Sequence, residues 1–183
     1  MTTQTAIFAG GCFWCTEAIF DDVIGVEAVE SGYIGGPMAK PTYARVCDGN
    51  TGHAEAVKID FDPAQIGYDE LLDIFFHTHD PTQLNRQGND SGTQYRSAVF
   101  SLDDAQRAAA EAAKLRAQPD WDKPIVTTIE PIAQWHRAEE YHQEYFANNA
   151  GSNGYCAVVV APKLAKFRKA FAQRLKSNQA AAA

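Results

Sequence analysis

An apolar run at residues 5–9 closes on Gly10-Gly11, and a stretch free of helix breakers, 12–20, follows at once. That junction admits few architectures: a buried strand stops in a tight turn and hands the chain to a helix, with Phe13, Glu17 and Phe20 at helical intervals. Strand-like and helix-like stretches keep alternating downstream. Residues 26–33 alternate weakly and end at Gly35-Gly36-Pro37, after which a loop runs to about Gly52. Residues 53–61 alternate more clearly, with Ala54, Ala56, Lys58 and Asp60 opposite Glu55, Val57, Ile59 and Phe61. A helix is predicted over 68–77 from Leu71, Leu72, Phe75 and Phe76, and a short strand over 97–100. Residues 102–118 form an Ala-rich helix that opens with Asp103 and Asp104 and closes with Lys114 and Arg116, as the helix dipole prefers. Beyond it, 125–129 reads as a β-branched strand stopped by Pro131, and 136–146 as a helix. Residues 157–176 read as strand and helix, the helix over 165–175 carrying Leu164, Phe167, Phe171 and Leu175 on one side.

Strands interleaved with helices, without the regular repeat of parallel crossovers, define an α+β sheet with helices on one face. A chain of 183 residues with 45% apolar and 21% charged residues builds one core, so 1–176 is expected to be a single catalytic domain and 177–183 a frayed tail. The connection from His79 to Tyr95 is long, polar and glycine-containing, and ordered loops of that length in compact domains usually serve function.

The net charge of −7 argues against general binding of nucleic acid, which needs a basic surface, although six basic residues and no acidic one fall between Lys163 and Lys176. No run approaches the ~20 apolar residues of a membrane span, and the start lacks the basic and apolar regions of a signal peptide. The cysteines Cys12, Cys15, Cys47 and Cys156 are too few and too unevenly spaced for a disulfide-stapled secreted scaffold. Together these features place the protein in a reducing cytosol, where its cysteines serve chemistry or burial.

Cys12 falls in the first turn of the predicted helix, facing unpaired N–H groups and the positive end of the dipole, both of which favour thiolate. Gly10-Gly11 permits a sharp approach that exposes the sulfur, and Phe13 and Trp14 set an aromatic surface beside it. A buried structural cysteine among core aromatics is the alternative.

Gly11-Cys12-Phe13-Trp14 resembles the active-site signature of the peptide methionine sulfoxide reductase A family. Further segments resemble it in the same order, among them Gly32-Tyr33-Ile34-Gly35-Gly36, Pro41-Thr42-Tyr43, Gly52-His53-Ala54-Glu55, Asn89-Asp90, Gln94-Tyr95-Arg96 and Glu139-Glu140-Tyr141-His142. The resemblance covers about residues 7–156. It implies a ferredoxin-like α/β sandwich, mainly antiparallel, with helices packed on the sheet, long active-site loops and a C-terminal helix. The implied activity is reduction of methionine-S-sulfoxide, free and in proteins, to methionine, a repair of oxidative damage.

By the same resemblance Cys12 is the nucleophile and Glu55 the general acid. The residues agree: a departing oxygen needs a proton, and Glu55 lies on a predicted strand among Ala54, Ala56 and Val57, where desolvation would keep its carboxyl neutral. An outward-facing strand glutamate is the alternative. Tyr33 and Tyr95, either of which could be a core tyrosine, resemble the family's paired phenols that hydrogen-bond the sulfoxide oxygen. Asp90 resembles the acidic residue that organises the site, with a loop-capping aspartate as alternative. Phe13 and Trp14 would wall the pocket for the substrate's S-methyl group. Cys156, in Gly154-Tyr155-Cys156, resembles the recycling thiol that condenses with the Cys12 sulfenic acid, and thioredoxin (dithiothreitol in vitro) would reduce the disulfide. No bound cofactor, metal, nucleic acid or membrane is expected, and the chain is expected to be a monomer.

The sequence departs from the family pattern at Cys15, where glycine is frequent; the Cys12-x-x-Cys15 pair ranks second to Cys156 as recycling partner. After Cys156 no further cysteine occurs. Cys47 reads as a buried thiol, and His53 and His142 as hydrogen-bonding residues of the fold. Two rival readings are a thioredoxin-like oxidoreductase using Cys12 and Cys15, and a zinc module using Cys12, Cys15, Cys47 and His53.

Overall fold

Ala6, Phe8 and Ala9 are fully buried and Ile7 nearly so, which demands that the strand carrying them be covered on both faces and paired on both edges. A computed structural model describes residues 2–176 and meets that demand. In chain order the strands are β1 (Gln4–Gly10), β2 (Val26–Ile34), β3 (Ala54–Phe61), β4 (Arg86–Gln87), β5 (Asp90–Ser91), β6 (Ser97–Ser101), β7 (Thr128–Pro131) and β8 (His136–Arg137). The helices are α1 (Phe13–Asp21), α2 (Tyr43–Cys47), α3 (Tyr68–Thr78), α4 (Asp104–Ala117), α5 (Tyr145–Asn149) and α6 (Ala161–Ala170). Six strands form one sheet in the order β7-β6-β1-β3-β2-β8, antiparallel except for β6 with β7, while β4 and β5 make a separate ribbon.

The helices gather on one face. There Phe8, Val57, Ile59 and Phe61 join the core of α1, α3 and α4, and the Phe8 ring lies 5.6 Å from Phe20 and 5.0 Å from Phe75. Burying each such ring contributes about 2–3 kcal/mol. A smaller cluster of Ile7, Ala9, Ile34, Ala54, Ala56, Ala98 and Phe100 occupies the other face, packed by Trp135. This is the α+β architecture expected. No helix among the described residues is long and apolar enough to cross a membrane.

Three local expectations change. Residues 136–146 do not form one helix: His136 and Arg137 pair with Tyr33 and Gly32, a 3-10 turn covers Glu140–His142, and α5 starts at Tyr145. The open edge of β2 recruits this segment, which overrides its local helical preference. The strand expected at 125–129 pairs only from Thr128 and includes Pro131, which an edge strand tolerates. Downstream, 157–176 holds no regular strand: a π-helical stretch, Cys156–Val160, runs directly into α6, and Leu175 makes only an isolated bridge to Val23. The tail expected over 177–183 lies outside the described residues.

Candidate active site

Gly11 takes φ of +95°, and a Cβ there would sit 2.6 Å from Gln87 of the 79–95 loop. Only glycine serves both the turn and this close approach. Past it, Cys12 caps α1 with its carbonyl accepting from the Cys15 and Thr16 N–H groups. Its residue is 6% exposed and shares a cluster with Cys15, Cys156 and Val160. The three thiols are free.

Glu55, on β3, is 1% exposed, and its Oε2 accepts from the Phe13 N–H at 3.1 Å. One of the open donors of the α1 N-terminus thus serves the carboxyl. Burial pushes the Glu55 pKa well above the ordinary carboxylate value, the nearby Cys12 adds to the rise, and the Phe13 N–H opposes it.

The thiolate expected at Cys12 is not what this arrangement favours. A hydrogen bond with Cys15 raises the Cys12 pKa most, and burial raises it further. Tyr155 and the Trp14 N–H pull it down without prevailing. The same sulfur–sulfur hydrogen bond holds Cys15 below the ordinary thiol value. The helix end therefore acts on Cys12, but a neighbouring sulfur outweighs it. Cys156 is fully buried in the same cluster, and burial raises its thiol.

The tyrosines divide differently from expectation. Tyr33 lies directly opposite Glu55 in the β2–β3 register, yet its phenol donates to Glu139 Oε2 at 2.7 Å in a 1%-exposed position, so its hydroxyl is already engaged. Glu139 Oε1 accepts from the Tyr43 N–H at 2.8 Å, which fastens Tyr43 instead. Half-buried Tyr43 and Tyr95 are both raised by burial, and in both Glu55 adds to the rise. Asp90 Oδ2 accepts from Tyr155 Oη at 2.7 Å, and Tyr155 also hydrogen-bonds Cys12. Tyr43, Glu139 and Tyr155 were thus missed, although each stands within or beside a segment that carried the resemblance.

Phe13 is 1% exposed and lies against Tyr33, His142 and Tyr43, with its neighbour Trp14 only half buried. Trp14 Nε1 donates to His142 Nδ1 at 3.0 Å, and its ring stacks on Tyr145 with centroids 3.8 Å apart and planes 6° apart. His53 holds the loop after β2, accepting from the Gly36 N–H at 3.1 Å while its Nε2 meets Met38 O at 2.8 Å. Cys47 is exposed, not buried as expected, because it ends the short helix α2 on the outer side of Val46. No group of three or more His, Cys, Asp or Glu side chains among the described residues is arranged to hold a metal ion.

A buried carboxyl whose pKa is raised, beside a cysteine that clusters with two more thiols, on a mainly antiparallel α+β sheet, is the setting of a thiol-dependent oxidoreductase. Residues 4–175 match the family model described as peptide methionine sulfoxide reductase, and the chain belongs to that family. The peptide methionine sulfoxide reductase MsrA of Erwinia tasmaniensis is 57% identical over 172 residues, 94% of this chain and 97% of that one. Reduced Mxr1 from Saccharomyces cerevisiae is similar with a TM-score of 0.76 and 37% identity, covering 83% of this chain and 88% of that one. A further similar structure is Mxr1 in complex with Trx2, with a TM-score of 0.54 and 28% identity over 78% of this chain and 84% of that one.

Proposed function

We propose that this enzyme reduces methionine-S-sulfoxide, free and in proteins, through a Cys12 sulfenic acid and an intramolecular disulfide that thioredoxin reopens, as a single catalytic domain in the cytoplasm. The observation that carries the chemistry is Glu55: a buried carboxyl kept neutral beside Cys12 is a proton donor in place. Cys12 sulfur takes the sulfoxide oxygen, so the substrate sulfur is reduced to the thioether and Cys12 is oxidised to the sulfenic acid. Glu55 supplies the proton that the departing oxygen needs and recovers one from the Cys12 thiol. Tyr95 donates a hydrogen bond to that oxygen, and the companion role foreseen for Tyr33 passes to Tyr43, whose hydroxyl is not taken up by Glu139. Phe13 and Trp14 back the methyl group and select the epimer.

The sulfenic acid then condenses with the Cys156 thiol, forming the disulfide and releasing water. Cys156 already packs against Cys12, which supports this pairing. A second reading uses Cys15, favoured by its hydrogen bond to Cys12 within one helical turn. The yeast relative's complex with Trx2 supports a thioredoxin as the external reductant. Reduction of S and R sulfoxide peptides by the wild type, Cys12→Ser, Glu55→Gln, Cys15→Ser and Cys156→Ser tests the scheme. One methionine formed per Cys156→Ser chain without turnover is expected; the same phenotype in Cys15→Ser instead would move recycling to that thiol, and full activity of Cys12→Ser would end the proposal.

A further inference from the structure

Glu17 lies on α1 five residues beyond Cys12, yet it is 3% exposed, and the chemistry above makes no use of it. Its Oε2 accepts from the Tyr145 N–H at 3.2 Å, while its Oε1 is buried without a hydrogen-bond partner. That N–H follows directly on Glu144, which adopts φ of +50° and ψ of 34°, a left-handed conformation that costs a non-glycine residue of order 1 kcal/mol. A buried acid that rewards a strained turn is doing more than filling space.

The turn leads to both halves of the reaction. Tyr145 stacks on Trp14, and its hydroxyl accepts from Asn153 Nδ2 at 3.0 Å. Asn153 Oδ1 in turn accepts from the Tyr155 N–H at 2.8 Å and the Cys156 N–H at 3.2 Å. A continuous path of hydrogen bonds therefore runs from the helix of the nucleophile, through Tyr145 and Asn153, to the backbone of the recycling thiol.

We propose that Glu17 is a positioning residue that fastens the 144–156 segment to α1, setting Tyr145 on Trp14 and holding Cys156 in reach of the oxidised Cys12. This rests on Cys156 as recycling thiol, the reading given above. Truncating Glu17 removes its hydrogen bond to the Tyr145 N–H and frees the segment, so disulfide closure slows about tenfold or more while oxygen transfer at Cys12, one step earlier, stays within about twofold.

The test is rapid mixing of reduced Glu17→Ala and Glu17→Gln with a methionine sulfoxide peptide, following the first methionine released, the sulfenic acid captured by a cyclic dicarbonyl probe, and the Trp14 emission defined by difference from Trp14→Phe. Expected are a normal first methionine, a sulfenic acid that persists about tenfold longer in Glu17→Ala and less so in Glu17→Gln, and Trp14 emission altered by loss of the stack. Tyr145→Phe keeps the ring and cuts only the link to Asn153, so it should prolong the sulfenic acid with unchanged emission, and it decides the matter if the Glu17 variants do not fold. Closure at the wild-type rate in Glu17→Ala, or in Tyr145→Phe, overturns the proposal. If Cys156→Ser also clears its sulfenic acid at the wild-type rate, the recycling assignment fails instead, and the two failures are told apart.

Discussion

Glu55 is asked to stay neutral in a place where water cannot solvate its charge, and stability bears the consequence. A carboxyl whose folded pKa is raised contributes most below the unfolded value near 4.5 and loses that contribution as pH rises toward the folded one. Glu55→Gln should therefore abolish turnover and yet gain on the wild type by about 1.4 kcal/mol for each pH unit within that window, read from urea unfolding at pH 5 and pH 8. The phenols offer a contrasting pair. Tyr33→Phe strips a donor from Glu139 and should cost about 1–2 kcal/mol of stability with activity nearly kept, whereas Tyr43→Phe should lower kcat about tenfold or more with stability nearly kept. For the sulfurs, Cys15→Ala removes the largest influence holding Cys12 protonated, and faster alkylation of Cys12 by iodoacetamide at pH 7.5 is the expected outcome.

Elements explain why some of this could be read from residues alone and some could not. The β1–α1 junction announces itself through Gly10-Gly11 and the helical spacing that follows, and the alternation of 53–61 puts Glu55 with Val57, Ile59 and Phe61 on the face that α1 covers. Both signals are local. The grip of Glu139 on Tyr33 spans 106 positions, and no spacing in the chain encodes it. Likewise 136–146 has helical composition, and only the vacant edge of β2, a tertiary fact, turns its first residues into a strand. The rise of the Cys12 pKa is not legible in the sequence, because the dipole is a property of one helix while the opposing influence of Cys15 depends on how two side chains of that helix meet. At this scale Gly11→Ala is informative: the left-handed backbone and the contact with Gln87 should cost about 2 kcal/mol or more in thermal unfolding and displace the 79–95 loop that carries Asp90.

Across the whole molecule, α3 is locked to the sheet by a buried histidine. His79 meets Phe75 O and Ser97 Oγ, each at 2.7 Å, and Ser97 Oγ meets Thr127 Oγ1 at 2.7 Å, so one residue joins α3, β6 and the approach to β7. Burial lowers its pKa to about 4 from 6.5. A group with a depressed folded pKa gives its full stability above the unfolded value and loses it as pH falls, here between 6.5 and 4, opposite in sign to Glu55. Acidification across that window should cost about 3 kcal/mol through His79, and His79→Gln should flatten the acid limb of the stability profile.

The sheet order carries a last consequence, for biosynthesis. β1, first in chain order among the described strands, lies at the centre, and its two neighbours are β3 and β6, the second of which ends at Ser101. A nascent chain that ends short of Ser101 leaves Ile7 and Phe8 with an open flank, so β1 must wait about ninety residues of synthesis for its second partner, and it is there that a holding chaperone has most to protect.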